Sequence, residues 1–174
     1  MQQPTCKNIR IRSTEDAHKI FYAIHRGLLQ MVTRRLDPDE RNALRSGCIY
    51  VWEERAGGSA DSPASQGMER FTEGRRWSPS RVREDFLFYY EKYTPQSFIH
   101  SDAPEARPPR DWEPLVKQTI SVWATFSPGE PARKWHLTAY FTQASVDDLM
   151  TVDDIFPNLS PVPEGLFKSA RTSK

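Results

Sequence analysis

Apolar and polar positions alternate over several stretches of this 174-residue chain, and that alternation predicts its sheet. The longest stretch is 115–126, LVKQTISVWATF. There Val116, Gln118, Ile120, Val122, Ala124 and Phe126 fall on one side, with Lys117, Thr119, Ser121 and Trp123 on the other. After the turn-rich SPGEPARK, residues 135–142 continue the period through Leu137, Ala139 and Phe141, so the two predict a β-hairpin with a long loop. Near the N-terminus, 6–12 (CKNIRIR) sets Ile9 and Ile11 against Arg10 and Arg12 and predicts a short strand. Two further runs are β-branched or aromatic almost throughout: 48–53 (CIYVWE), expected to be a central strand, and 86–90 (FLFYY).

Helical spacing appears in three places. Ala17, Ile20, Phe21, Ile24 and Leu28 share one stripe, with Ser13 as N-cap and Asp16 three residues on, which predicts a helix ending near Gly27 or Leu28. Asp37-Pro38 followed by Glu40 opens a second, short helix, because proline tolerates the first turn and acids favour the positive end of the helix dipole. Ser145 with Asp148 and Thr151 with Asp154 carry capping-box spacing for two more short helices before the prolines at 157, 161 and 163. Segments 56–67 and 92–112 show no period and read as flexible connections, and the basic tail from Lys168 lacks an apolar face.

Composition narrows this picture. An apolar fraction of 37%, a mean hydropathy of −0.69 and 14 prolines describe one folding unit with much surface and long irregular connections. No apolar run approaches the length of a membrane span, and the first residues lack the pattern of a secretory signal. Cys6 and Cys48 stand alone, without metal-ligand spacing. Gly-rich phosphate loops, GxSxG, HExxH and CxxC are all missing, so no catalytic, cofactor or metal residue is assigned. His136 with an acidic pair is the only hydrolase reading the residues allow.

Charge is near balance, +1 overall, but it is unevenly placed. Residues 69–83 hold five arginines (Arg70, Arg75, Arg76, Arg81 and Arg83) against Glu69 and Glu73. Phe71 and Trp77 lie among them, with Thr72, Ser78 and Ser80. Guanidinium groups bind phosphates bidentately and suit the negative potential of a narrow A·T minor groove, glycine at 74 permits close backbone approach, and the hydroxyls can donate to phosphate oxygens. A plain solvated loop has the same composition. The two aromatics fit either a buttress under the loop or a wedge at a base step, and Arg34-Arg35 is either a solvated turn or a second phosphate contact.

The motifs RSGCIYVWEER at 45–55, ERFTEGRRWSPSRV at 69–82 and FLFYYE at 86–91, with RSTEDA at 12–17 and VTRRL at 32–36, resemble the first block of the fungal WOPR-domain regulators, the Gti1/Pac2 family. LVKQTISV at 115–122 and WHLTAYF at 135–141 are similar to the second block. The resemblance implies an α+β fold, a single two-lobed unit whose antiparallel sheet is shared between the blocks, plus short helices. The first block would span 8–91, a variable linker 92–111, the second block 112–160 and a disordered basic tail 161–174.

It also implies a nuclear, non-enzymatic, sequence-specific transcriptional regulator of fungal morphology and development. Its partner would be T/A-rich double-stranded DNA, with other transcription regulators as further candidates and no cofactor, membrane or small-molecule substrate. Residues carried over as DNA contacts are Arg70, Thr72, Gly74, Arg75, Arg76, Trp77, Ser78, Ser80 and Arg81, with Arg12, Arg34, Arg35 and Lys117 more peripheral. Where relatives commonly have Lys-Arg-Trp-Thr-Asp, this chain has Glu69 to Glu73, which removes a phosphate contact and weakens the kinase context of Thr72. Ser78 keeps both a basophilic and a proline-directed context, so Ser78 and Thr72 are the candidate phosphorylation sites. The alternative is a protein-interaction module in which FLFYY or the linker docks a partner and the arginines bind an acidic segment.

Overall fold

A six-stranded antiparallel sheet organises the chain in the computed structural model, which describes residues 2–54, 68, 71–93 and 112–170. The connections 56–67 and most of 92–112, Arg70 and residues 171–174 lie outside the described residues. The elements in order are α1 (Thr14–His25), α2 (Pro38–Asn42), β1 (Ile49–Glu53), β2 (Arg81–Arg83), β3 (Phe86–Tyr90), β4 (Leu115–Ala124) and β5 (Arg133–Thr142). A 3-10 turn (Val146–Asp148), α3 (Val152–Ile155) and β6 (Phe167–Ser169) complete the fold.

The predicted hairpin forms the centre: β4 and β5 pair along their length, from Leu115 opposite Thr142 to Ala124 opposite Arg133. Strands from the first half flank it on both sides, giving the order β1-β5-β4-β3-β2. Neither half closes the sheet alone. Beyond Thr119, the outer edge of β4 passes from β3 to β6, which pairs with Val122–Ala124.

Alternation sorts the side chains between two cores. On one face Ile120, Val122, Ala124, Trp135, Leu137 and Ala139 meet the stripe of α1, where Phe21 and Ile20 are fully buried. On the other, Tyr50, Trp52, Leu115 and Tyr140 pack with Val32, Leu36, Leu44 and Phe71. The α1 stripe is the one the periodicity predicts, and the Ser13 hydroxyl caps Asp16 N–H as expected. Asp16 itself turns to Arg12, accepting from its backbone N–H and its guanidinium at 2.7–2.9 Å.

Several expectations are corrected. β1 is an edge strand, not a central one; its outer edge is occupied by Cys6, which exchanges backbone hydrogen bonds with Ile49, and by Val32 N–H to Val51 O at 2.9 Å. Covered on both faces and along its edge, it reads as apolar as a central strand would. Residues 6–12 keep the predicted in–out alternation but make only bridges, Cys6 to Ile49 and Ile9 to Met150, because Asn8 takes a φ of 64° between them. Asn8 backbone also lies 2.8–2.9 Å from where a Cβ on Gly47 would stand, so glycine is needed there for close approach. Ser145 makes no cap; its hydroxyl bonds to Ser46 and Thr142 instead, leaving a single 3-10 turn. Thr151 and Asp154 do form the capping box.

The tail over 161–174, expected to be disordered, contains β6. Phe167 is its anchor, 6% exposed among Phe21, Trp135, Phe126 and His18 at ring separations of 5.5–6.3 Å. A lone aromatic in a basic tail has no period to reveal it.

Glu40 fixes α2 in place. It completes the capping box with Asp37, accepts two hydrogen bonds from the Arg34 guanidinium at 2.7 and 2.8 Å, and accepts the backbone N–H of Gln2. The Arg34 contact, helped by backbone donors and opposed by burial, lowers its carboxyl from 4.5 to about 2. A lowered carboxyl stabilises the fold fully above its unfolded value and loses that contribution as pH falls through the folded one. Stability should therefore decline between pH 4.5 and about 2 in acid titrations followed by circular dichroism, and Glu40→Gln should flatten that part of the curve. For β6, Phe167→Ala should cost about 3–5 kcal/mol in urea denaturation, while Lys168→Ala, exposed on the same strand, should stay within about 0.5 kcal/mol.

Candidate nucleic-acid interface

The arginine-rich stretch is built on the sheet rather than beside it. Its beginning enters the second core: Phe71 is buried against Tyr50 at 5.2 Å and Trp52 at 6.4 Å. Its end becomes β2, so the predicted loop over 69–83 closes at Ser80, and Arg81–Arg83 pairs with β3. Between these, Ser78 N–H donates to Tyr90 O at 2.8 Å and Lys92 N–H donates to Arg76 O at 2.9 Å. Ser78 Oγ accepts from Tyr90 N–H at 3.0 Å and donates to Pro79 O at 3.1 Å. A loop tied at both ends loses little further entropy on meeting a ligand.

At the centre of these ties lies a buried carboxylate. Glu73 is 4% exposed; it accepts from Tyr140 Oη at 2.6 Å, from Lys117 Nζ at 3.0 and 3.3 Å, and from Trp77 Nε1. Lys117 and Tyr140 stand directly opposite each other on β4 and β5, so the hairpin register presents both donors at one point. A charge removed from water is tolerated only with an opposite charge and hydrogen bonds to its remaining lone pairs, and Glu73 has both. Burial, followed by the neighbouring Glu73 charge, pushes the Tyr140 hydroxyl well above its usual range, which keeps it a neutral donor. Trp77 is half-buried, 6.1 Å from Tyr140 by ring centroids, with Lys117 Nζ 5.5 Å from its ring. Both aromatics pack against the second core, Phe71 buried and Trp77 half-buried.

The candidate cations differ in what holds them. Arg75 donates to Glu91 Oε2 at 3.0 Å, and Glu91 Oε1 in turn accepts Leu115 N–H. Arg76 is exposed and has no ion-pair partner among the described residues. Arg81 is exposed on β2, its guanidinium 5.8 Å from the Tyr90 ring centre. Ser80 is exposed, Thr72 is half-buried, and Gly74 is exposed with a φ of 77°. Lys117 is 16% exposed and committed to Glu73. Arg12 bridges Asp16 and Asp153 at 2.7 Å, which raises its guanidinium further above its normal range. Arg34 holds Glu40, and Arg35 is exposed. Gly74 to Ser78 and Lys117 thus form one cluster, while Arg12 and Arg34 belong to separate networks.

Sequence reasoning missed Glu73, Tyr140 and Glu91. Glu73 reads as one acid diluting a basic stretch, and nothing local marks it as buried. The signal lay in the hairpin: Lys117 and Tyr140 both fall on the face opposite the expected core stripe, where a cation and a phenol need a partner. FLFYY, expected to dock a partner in the alternative reading, is paired on both sides within the sheet. His136 stacks flat on Trp52 at 4.2 Å, with Ser121 and Glu54 on its ring nitrogens, and burial lowers its pKa, so it packs as a neutral imidazole.

A family model described as the Gti1/Pac2 family matches residues 8–111. Over 81 residues the chain is 42% identical to the cAMP-independent regulatory protein pac2 of Schizosaccharomyces pombe, covering 47% of this chain and 31% of that protein. Over 88 residues it is 41% identical to the global transcription regulator FGP1 of Gibberella zeae, covering 50% and 23%. The chain spans less than a third of the length of such curated relatives. Among solved structures, the WOPR domain of Wor1 from Candida albicans in complex with 13-bp double-stranded DNA superposes with a TM-score of 0.68 at 26% identity, covering 93% of this chain and 94% of that one.

The Glu73 cluster sets the expected stability response. Glu73→Ala leaves Lys117 buried without its counter-charge and should cost about 3–5 kcal/mol by chemical denaturation. Tyr140→Phe, which removes one donor and no charge, should cost about 1–3 kcal/mol.

Proposed function

This chain belongs to the Gti1/Pac2 family, and on that premise we propose that it is a sequence-specific DNA-binding transcriptional regulator acting in the nucleus. It uses the loop over 71–80 and β2 to engage T/A-rich duplex DNA. The observation that carries this reading is Arg76: exposed, without an ion-pair partner among the described residues, and borne on a loop hydrogen-bonded to the sheet on both sides. The regulatory names of the relatives and the DNA in the Wor1 complexes support it.

Roles divide by how each cation is held. Arg76 enters the minor groove, where a narrow A·T tract concentrates negative potential. Arg81, with Ser80, lies beside it for phosphate contacts. Arg75 keeps its ion pair with Glu91 and shares its remaining donors with DNA. Lys117 acts through Glu73, setting the height of the loop rather than touching the duplex. Phosphorylation of Ser78 would remove the hydroxyl proton it donates to Pro79 O and add negative charge at the DNA face, turning binding off. Thr72 and Ser78 are both half-buried, so Ser78 is favoured by its sequence context alone, after Arg75-Arg76 and before Pro79.

Arg76→Ala should weaken binding to a T/A-rich duplex by about 1–3 kcal/mol in fluorescence anisotropy and reduce the preference for T/A-rich over G/C-rich DNA. Arg75→Ala should weaken it less, since part of that guanidinium already serves Glu91. Affinity of the unaltered chain should fall steeply with salt. Salt-insensitive binding, or wild-type affinity in the Arg75→Ala/Arg76→Ala protein, would contradict the reading.

A further inference from the structure

One cation beside the loop comes from neither the loop nor the sheet. Arg41 sits in the last turn of α2, whose position is fixed by the Asp37–Glu40 capping box and the Arg34–Glu40 ion pair. Its side chain lies along Gly74: a Cβ placed on that glycine would stand 3.5 Å from Arg41 Cδ, 3.5 Å from Nη1 and 3.9 Å from Cζ. Those are ordinary contact distances, so a methyl group would fit there. Glycine is favoured by the φ of 77° instead. What the missing side chain leaves is bare backbone beside a guanidinium.

That guanidinium is unfinished. Arg41 Nε is buried and has no hydrogen-bond partner, and Arg41 forms no ion pair among the described residues. Arg12, Arg34, Arg75 and Lys117 all face carboxylates. A buried donor of a charged group without an acceptor is costly, and folded proteins rarely leave one so unless something else supplies the acceptor. Gly74 is exposed and, having no Cβ, puts no side chain of its own between an anion resting there and Arg41 Nη1, 3.5 Å from the Cβ position.

We propose that Arg41 and the backbone of Gly74 form a seat for a DNA phosphate, making Arg41 a DNA-contacting residue of α2. The proposal rests on the reading of the loop as the DNA-binding surface. A phosphate diester gives the planar fork two acceptor oxygens, and the contact positions the duplex without reading its sequence. The competing role is mechanical, with the Arg41 stem only propping the loop.

The test is a salt series with the full chain, a T/A-rich and a G/C-rich duplex, and Arg41→Met, which keeps the stem and removes the charge. Each phosphate neutralised contributes about 0.9 to the slope of log affinity against log salt. Arg41→Met should weaken binding to both duplexes alike, about tenfold near 0.1 M salt, and lower that slope by about 1. Arg41→Lys should keep most of the slope. Weaker binding with an unchanged slope, or wild-type affinity and slope, overturns the proposal. Arg41→Gln, neutral but able to donate at the same depth, serves with the same expectations if Arg41→Met fails to fold. Arg76→Met run alongside separates the two ideas. If it loses affinity while Arg41→Met does not, only the phosphate seat fails; if neither loses affinity, the reading of the loop fails with it.

Discussion

A carboxylate sealed between a sheet and the loop that crosses it imposes the strictest condition on this structure. Glu73 needs a cation and hydrogen-bond donors within reach, and they come from three places: Lys117 on β4, Tyr140 on β5 and Trp77 four residues along its own loop. Lys117 and Tyr140 converge only because β4 and β5 pair in one register. Slipping that register by one residue would turn one of the two side chains to the α1 face and leave the charge short of a partner. The loop, in turn, rests at the height its buried acid dictates. Interactions that hold the hairpin together therefore also set where Arg75 and Arg76 are presented.

The rest of the sheet serves the same end. Strands of the first half lie outside the hairpin on both sides, and residues 71–77 lie against the second core between them. Phe71 and Trp77 hold it to that core, and backbone bonds to Tyr90 and Lys92 hold its far side. Carboxylates then sort the cations. Asp16, Glu40, Glu73 and Glu91 each take one basic side chain into a structural role, while Arg76, Arg81 and Arg41, beside the loop, have no carboxylate partner among the described residues. A chain of formal charge +1 thus carries a local cationic face without being basic overall.

Much of this was legible in the residues. Period-2 alternation placed β4 and β5, aromatic and β-branched runs placed β1 and β3, and helical spacing with capping residues placed α1 and α2. What failed did so for physical reasons. β1 looked central because it is covered on both faces and also along its outer edge by Cys6 and Val32. β6 is anchored by Phe167 with Leu166 beside it, two apolar residues in a tail with no repeating period to mark them. In the candidate site, composition found the arginines but could not tell which were already occupied, because Glu40, Glu73 and Glu91 act through partners 6 to 44 residues away. Arg41 was invisible for the same reason: only the placement of α2 against Gly74 gives it meaning.

On the proposed function, the buried Glu73 carboxylate sets the loop in the position from which it would discriminate between duplexes. The most direct measurement is the ratio of affinities for T/A-rich and G/C-rich DNA in Glu73→Gln, a change that keeps the side-chain shape and removes the charge pairing Lys117. Glu73→Gln should still fold and still bind DNA, with a ratio several-fold closer to one. A folded Glu73→Gln protein with the wild-type ratio would contradict it.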